Sequence, residues 1–282
     1  MTRRDAQERE AVILRALRLN AAIRVADLAA ELGVTTETIR RDLTKLRDSG
    51  LIRRMYGGAV LPPVSDEPMV NERAAVRVAE REAIARLAAS LVQGEDVLMI
   101  DAGSTTALFA RALAELTPGP LMAVTNSFKV ATSLAANAAI RVVMCPGDYT
   151  PREGGVTGAE TVAFLSRFRA SAAFIGASGL TRDGPTEAHS PAASVKRAML
   201  RASRRTILLA DASKFEQSAT ELVCPLPQIA DLVTDIAPGD QLAGALSQAG
   251  VKVHVAHAES GRDRRVRAAA PAADPRRRRA SR

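Results

Sequence analysis

Two groups of residues in this 282-residue sequence have the types and spacing to do chemistry. The first is TTETIRRDL, residues 35–43, in which Arg40 and Arg41 stand side by side. A guanidinium is a planar fork of donors that grips phosphate oxygens, or the O6 and N7 of guanine bidentately. Thr35, Thr36, Glu37, Thr38 and Lys45 surround the pair with further polar groups, and Arg53 and Arg54 follow shortly after. The second group is a set of short polar loops that each follow an apolar run: DAGSTT (101–106), VTNS (124–127), CPGD (145–148), FIGASG (174–179) and LLADASK (208–214). Hydroxyls and backbone amides at the start of a helix make an anion site, and a glycine lets a ligand approach the backbone. Lys196 and Lys214 would add cations, and Asp101 or Asp211 would accept hydrogen bonds from hydroxyl groups. Such a set of groups suits a small phosphorylated polyol.

Other chemistries have weaker support. No G-x-G-x-x-G follows the first apolar run and no G-x-x-x-x-G-K-[ST] occurs, which argues against a dinucleotide and against nucleotide hydrolysis. Cys145, Cys224, His189, His254 and His257 have no metal-ligand spacing, so neither a metal nor a cofactor is expected. General acid–base catalysis would need a positioned pair of groups. Asp101, Glu187, His189 and Asp211 are the only candidates, no two of them at a diagnostic spacing, so no catalytic residue is assigned and a non-enzyme is expected.

The arginine pair needs a helix to present it. In VADLAAELGV, Val25, Leu28, Ala29 and Leu32 fall on one helical face and Gly33 stands where a helix ends. Thr35 or Thr36 can cap a second helix whose apolar face is Ile39, Leu43 and Leu46, which turns Arg40, Arg41 and Lys45 outward. Helix, short glycine turn and second helix form a helix-turn-helix. LIRRMYGG then reads as a small β-wing carrying Arg53 and Arg54. Asp42, an acid on an otherwise basic helix, is expected to turn inward and pair with an arginine or a backbone amide.

The polar loops need strands ahead of them. DVLMI, LMAVT, IRVVMC, AAFIGAS, RTILLAD, DLVTD and KVHVA alternate with helical patterns, as buried parallel strands do in an α/β domain. Ligands of such sheets sit at the carboxyl ends of the strands, where these loops fall. The stretch ERAAVRVAEREAIARLAASLV reads as one helix with Val76, Ile84, Leu87 and Leu91 on a face that could cover the sheet or a partner subunit. The expected organisation is a DNA-binding domain over residues 1–58, a proline-containing linker over 59–70, an α/β domain over 71–258 and a disordered arginine-rich tail over 259–282.

Composition fits this division. The net charge is +8, but the tail holds nine arginines against three acids, so the other 258 residues are nearly neutral and any nucleic-acid site must be a local patch. Nearly half the residues are apolar, while aromatics make up 3 % and tryptophan is absent, so the core must be built from Ala, Leu, Val and Ile. The charged start has no apolar segment of the kind a signal peptide carries, and no apolar run nears the ~18 residues that span a bilayer. A cytoplasmic protein with no membrane association is expected.

The stretch VADLAAELGVTTETIRRDLTKLRDSGLIRRMYGGAV resembles the DNA-binding domain of DeoR-type bacterial regulators, whose signature runs through Thr38, Ile39, Arg40, Arg41, Asp42 and Leu43. DAGSTT, VTNS, FIGASGL, VKRAM and LLADASKF resemble the effector domain of the same regulators, in the same order. The resemblance implies an N-terminal winged helix-turn-helix joined to a larger, mostly parallel α/β domain similar to ribose-5-phosphate isomerase and the CoA transferases. It implies a homo-oligomer, dimer or tetramer, that binds operator DNA through Thr35, Thr36, Glu37, Thr38, Arg40, Arg41, Lys45, Arg53 and Arg54. It also implies a phosphorylated sugar as effector, held by Asp101, Gly103, Ser104, Thr105, Thr106, Thr125, Asn126, Gly147, Lys196, Asp211 and Lys214. The function expected is repression of a sugar-catabolic operon; the alternative is a sugar-phosphate isomerase or deaminase fused to a DNA-binding domain.

Overall fold

The computed structural model describes residues 9–10, 12–14, 16–17, 23–48, 52–55, 57–60, 69–92, 97–117 and 119–256. Most of the expected linker and all of the arginine-rich tail lie outside these residues.

In the N-terminal part, the described positions between 9 and 17 are helical. Strand β1 (Ile23–Arg24), helix α1 (Val25–Glu31), helix α2 (Thr36–Asp48) and strands β2 (Arg53–Met55) and β3 (Gly58–Val60) follow. Gly33 takes φ 62, the left-handed conformation that closes α1. Thr35 caps α2, its Oγ1 accepting the Thr38 amide at 3.2 Å. Ile39, Leu43 and Leu46 are buried with Ile13, Leu17, Val25, Leu28 and Ile52, so the apolar face read from the sequence is the core of this unit. Strands β1, β3 and β2 pair antiparallel in that order, which makes the wing. Gly58 has to be glycine here, because a Cβ would come 2.2 Å from the Ile23 carbonyl oxygen.

The larger part begins with helices α3 (Val70–Ala74) and α4 (Val78–Ser90). Among the described residues its sheet has seven strands, all parallel: β4 (Val97–Ile100), β5 (Leu121–Thr125), β6 (Ile140–Met144), β9 (Ala170–Ile175), β12 (Ser203–Leu209), β14 (Asp231–Thr234) and β15 (Lys252–Val255). Each apolar run read as a strand is one of these seven. Their order is β15-β14-β12-β9-β4-β5-β6. The chain therefore starts in the middle at β4, winds outward to β6, then returns to β9 and winds the other way. The reversal at β4 and β9 is the topological switch point, where the loops leave in opposite directions and open a crevice.

Side chains alternate across the sheet, as the two-residue period of a strand demands. Leu98, Ile100, Ala123, Phe174, Ile207 and Val233 pack beneath α4, α5 (Ser104–Leu116) and α6 (Phe128–Leu134), with Phe109 stacked on Phe174 at 4.2 Å. Met99, Val124, Ala173, Leu208 and Leu232 face the opposite layer, formed by α7 (Ala159–Leu165), α8 (Ser190–Arg201) and α9 (Asp240–Gln248). Short hairpins flank the strand ends: β7 (Asp148–Thr150) with β8 (Gly155–Thr157), and β10 (Gly179–Leu180) with β11 (Pro185–Glu187) and β13 (Glu221–Leu222).

One expectation is corrected. The stretch from Glu72 to Val92 is two helices, broken at residues 75–77, with Arg77 at φ 53. Val76 lies in the break, whereas Ile84, Leu87 and Leu91 pack on the sheet. The apolar face of α4 thus covers this chain's own core. The break itself comes from ion pairs described below, which helical periodicity does not reveal.

Candidate functional site

The outer face of α2 is the first candidate surface. Thr35, Thr36, Glu37, Arg40, Arg41 and Lys45 are exposed and Thr38 is half-buried. The Arg40 and Arg41 side chains are 58 % and 79 % exposed and lie 3.7 and 3.9 Å from Glu37. Ion pairs this exposed contribute little, so both guanidinium groups can exchange Glu37 for a phosphate at small cost. Asp42 turns the other way. It is 2 % exposed, and Arg9 donates to both of its oxygens, at 2.9 Å from Nε and 3.2 Å from Nη2. The inward pairing expected of Asp42 is thus present, and its partner is an arginine 33 residues upstream. In the wing, Arg54 is exposed and its Nη1 donates to Thr44 Oγ1 at 3.3 Å, which links the wing to α2. Arg53 lies on β2, and its side chain is outside the described residues.

The second candidate is a narrow cleft at the carboxyl ends of β4, β9 and β12, with about 30 Å³ of enclosed room. Its wall includes Gly103, Ser104, Thr105, Thr106, Lys196, Asp211 and Lys214 from the sequence-based set, joined by Arg73 and Arg81. Gly103 and the first turn of α5, Ser104 to Thr106, line the cleft, so an anion there would meet a helix N-terminus. Thr106 Oγ1 donates to the Gly103 carbonyl at 3.1 Å.

Four of the predicted residues do not line the wall. Asp101 lies directly behind it. Thr125 donates to the Ile100 carbonyl at 2.6 Å and accepts the Ser127 amide at 3.1 Å. Asn126 accepts the Ala102 amide at 3.0 Å and donates to the Val156 carbonyl at 3.0 Å. Both side chains are spent stitching loops together. Gly147, at φ 144, packs against Thr157 and Thr161, where a Cβ would come 2.1 Å from Thr161 Oγ1. These three hold the strand ends in register; their polar or small side chains read from sequence like ligand contacts.

One wall residue, Lys196, lies between two acids that stand behind it. Lys196 Nζ contacts Asp101 Oδ2 and lies 3.3 Å from Glu187 Oε2, with Lys196, Asp101 and Glu187 2, 1 and 3 % exposed. Ser178 donates to Glu187 at 2.8 Å. Burial alone would push the Lys196 ammonium down, but the carboxylates of Asp101 and Glu187 hold it above its ordinary value. Burial pushes the Asp101 carboxyl up against the pull of Lys196. The ammonium is the charge that this arrangement secures.

On the other side of the cleft Asp211 receives two arginines. Arg81 Nε lies 2.9 Å from Asp211 Oδ2 and Arg77 Nε 3.3 Å from Oδ1, while Arg77 Nη2 donates to Asp235 at 2.6 Å. Burial would raise the Asp211 carboxyl, yet the Arg81 and Arg77 guanidinium groups hold it well below the usual carboxylate range. Arg73 donates to Glu153 at 2.7 Å at the lip. Around the cleft, Arg73, Arg77, Arg81, Lys196 and Lys214 thus face Glu80, Asp101, Glu153, Glu187, Asp211 and Asp235. Sequence reasoning missed the three arginines. Their spacing of four residues was the available signal, but it was hidden in a stretch that reads as an ordinary charged helix.

Among the described residues, no group of three or more His, Cys, Asp or Glu could hold a metal ion, and no helix is long and apolar enough to cross a membrane.

The family model of a DeoR-like helix-turn-helix domain matches residues 9–63, and that of the DeoR C terminal sensor domain matches residues 76–236. Among curated proteins, the glycerol-3-phosphate regulon repressor of Escherichia coli (strain K12) is 34 % identical over 213 residues, covering 75 % of this chain and 84 % of the relative. The HTH-type transcriptional repressor GlcR of Bacillus subtilis (strain 168) is 30 % identical over 258 residues, covering 91 % and 99 %. Among solved structures, ribose 5 phosphate isomerase A from Neisseria gonorrhoeae matches 49 % of this chain and 53 % of its own at 23 % identity, with a TM-score of 0.36.

Proposed function

This chain belongs to the DeoR family of transcriptional regulators, and on that premise we propose that it represses a carbohydrate-catabolic operon and leaves its operator when a phosphorylated sugar binds. The observation that carries the reading is the switch-point cleft, in which the first turn of α5 meets Arg73, Arg81 and Lys214, on the same chain as an exposed arginine pair. The phosphate would take the α5 amides and the cations, and the sugar hydroxyls would donate to Asp211. Arg40, Arg41 and Lys45 would contact the DNA in the major groove, with Thr35, Thr36, Glu37 and Thr38 at the start of the same helix, while Arg53 and Arg54 touch the backbone beside it. The domain boundaries are taken as 1–58 and 71–258, and the protein acts as a cytoplasmic homo-oligomer.

A thermal-shift screen of the full chain tests the reading, with sugar phosphates and glycerol 3-phosphate set against the unphosphorylated compounds. A ligand that binds only the folded state raises the apparent stability by RT ln(1 + [L]/Kd). The expected result is a shift that needs the phosphate, together with release of bound DNA by the same compound. A panel without a shift overturns the effector assignment.

Catalysis has one observation in its favour, the convergence of Asp101 and Glu187 on Lys196. Asp101 and Glu187 are buried behind the wall and both are bound to Lys196, so neither carboxylate is free to take a proton from a substrate in the cleft. The reading we adopt is a non-enzyme. Turnover of a sugar phosphate that disappears in Glu187→Gln would reverse it.

A further inference from the structure

Arg81 is buried, at 4 % exposure, and it joins three separate elements. Its Nε contacts Asp211 at the end of β12, and its Nη1 donates to Ser104 Oγ at the start of α5, at 3.2 Å, and to the Arg73 carbonyl at the end of α3. These contacts use Nε and Nη1. Among the described residues Nη2 has no hydrogen-bond partner, and Arg81 lines the cleft. A guanidinium this buried, with a donor left over beside a helix N-terminus, is set to receive an anion.

The position of α3 gives this a consequence. Only the residues between Val60 and Val70 separate α3 from the wing, so α3 is where the effector domain holds the chain that leads to the DNA-binding domain. The break after α3 places Arg77 in the left-handed region at φ 53, an unfavourable conformation for a side chain with a Cβ. It is held there by Asp211 and Asp235, and by the Arg81 bond to the Arg73 carbonyl. The acids around the cleft at least match the cations, so a phosphate that enters finds no surplus cation unless an internal contact opens.

We propose that Arg81 is both an effector-binding residue and the residue that transmits occupancy: a phosphate at the α5 N-terminus draws its guanidinium from Ser104 and from the Arg73 carbonyl, and so frees the end of α3. This rests on the effector reading above and adds to it the route by which the cleft reaches the winged helix. Freed of that bond, the strained turn at 75–77 relaxes and the C-terminal end of α3 loosens, while Arg73 stays bound to Glu153 and the Val70 amide to the Arg152 carbonyl. The shift has thermodynamic force because the anion binds better to the state in which Arg81 has turned toward it.

Hydrogen–deuterium exchange of the full chain, with and without glycerol 3-phosphate or inorganic phosphate, tests the proposal. In the wild type, saturating probe should slow exchange at residues 103–107 and speed it several-fold at residues 70–77. In Arg81→Lys, a point charge that cannot bridge all three partners, residues 70–77 should exchange fast from the outset and respond no further to probe. Slowed exchange at 103–107 with unchanged or slowed exchange at 70–77 in the wild type overturns this proposal and leaves the effector site standing. A response at 70–77 that persists in Arg81→Lys also overturns it. If neither probe slows exchange at 103–107, the phosphate site fails and the proposal fails with it. The wild-type comparison decides the matter even if Arg81→Lys does not fold.

Discussion

Asp42→Asn separates what α2 needs for folding from what it needs for the DNA contact proposed above. The carboxylate is 2 % exposed and Arg9, whose side chain is 11 % exposed, donates to both of its oxygens. Asparagine keeps the shape but removes the charge and one acceptor, so the nearly buried Arg9 guanidinium loses the charge of Asp42. Breaking a buried ion pair in this way costs about 3–5 kcal/mol. Arg9 keeps some access to water, which places the expected loss nearer 2–3 kcal/mol, or roughly 10–20 °C in the melting transition of so small a domain. Differential scanning calorimetry of the full chain would show one transition falling while that of the effector domain stays. Operator preference should not follow, because Asp42 points away from the exposed face. Selecting binding sites from a randomised duplex pool, well below the lowered transition, should return the wild-type consensus. Full stability together with a changed consensus would refute the assignment of Asp42 to the interior.

Three further outcomes follow from the same geometry. Arg40→Ala and Arg41→Ala should each weaken operator binding by about 1–2 kcal/mol and, where a phosphate contact is lost, reduce the salt slope by about one; melting should move little, since both side chains are exposed, and anisotropy titrations across a salt series would check this. Lys196→Met should destabilise the effector domain by about 3–5 kcal/mol at neutral pH, because two buried carboxylates lose their ammonium. Burial already raises the Asp101 carboxyl, and without Lys196 it rises further; a carboxyl raised in the folded state favours folding below its unfolded value and loses that advantage as pH rises, so the deficit should shrink between pH 7 and about 4 in urea titrations. Asp211 behaves in the opposite sense: Arg81 and Arg77 depress it against burial, so its contribution is complete above about pH 4 and is lost as pH falls further. Asp211→Asn should therefore lower stability at neutral pH and flatten the acid limb of the same titration.

Much of the fold was legible because its causes are local and periodic. The seven apolar runs had to be strands, since a strand buried on both faces has no polar side to hide, and the Ile39–Leu43–Leu46 stripe had to face inward. Gly33 and Thr35 marked the turn between the helices because a left-handed residue and a hydroxyl cap each have few substitutes. The polar loops were legible as a set, and the structure brings Ser104, Lys196, Asp211 and Lys214 to one cleft. Which member of the set faces the cleft was not legible. Thr125 and Asn126 turn away because neighbouring loops leave backbone groups that need partners, and those groups become neighbours only once the sheet has formed.

The arginines of α3 and α4 show a different limit. Helical periodicity treats Arg73, Arg77 and Arg81 as a solvated stripe, four residues apart on one charged face. The structure buries Arg81 and breaks the helix at Arg77, because Asp211 and Asp235 at the ends of β12 and β14 offer more than unbroken helix through residues 75–77 would. Those acids lie about 130 to 160 residues away in sequence, so no local rule could pair them. A structure that gives up helical continuity to bring three cations to one strand-end crevice suits the phosphate site proposed above. On that proposal the ligand would bind reversibly, because each arginine already has partners to return to.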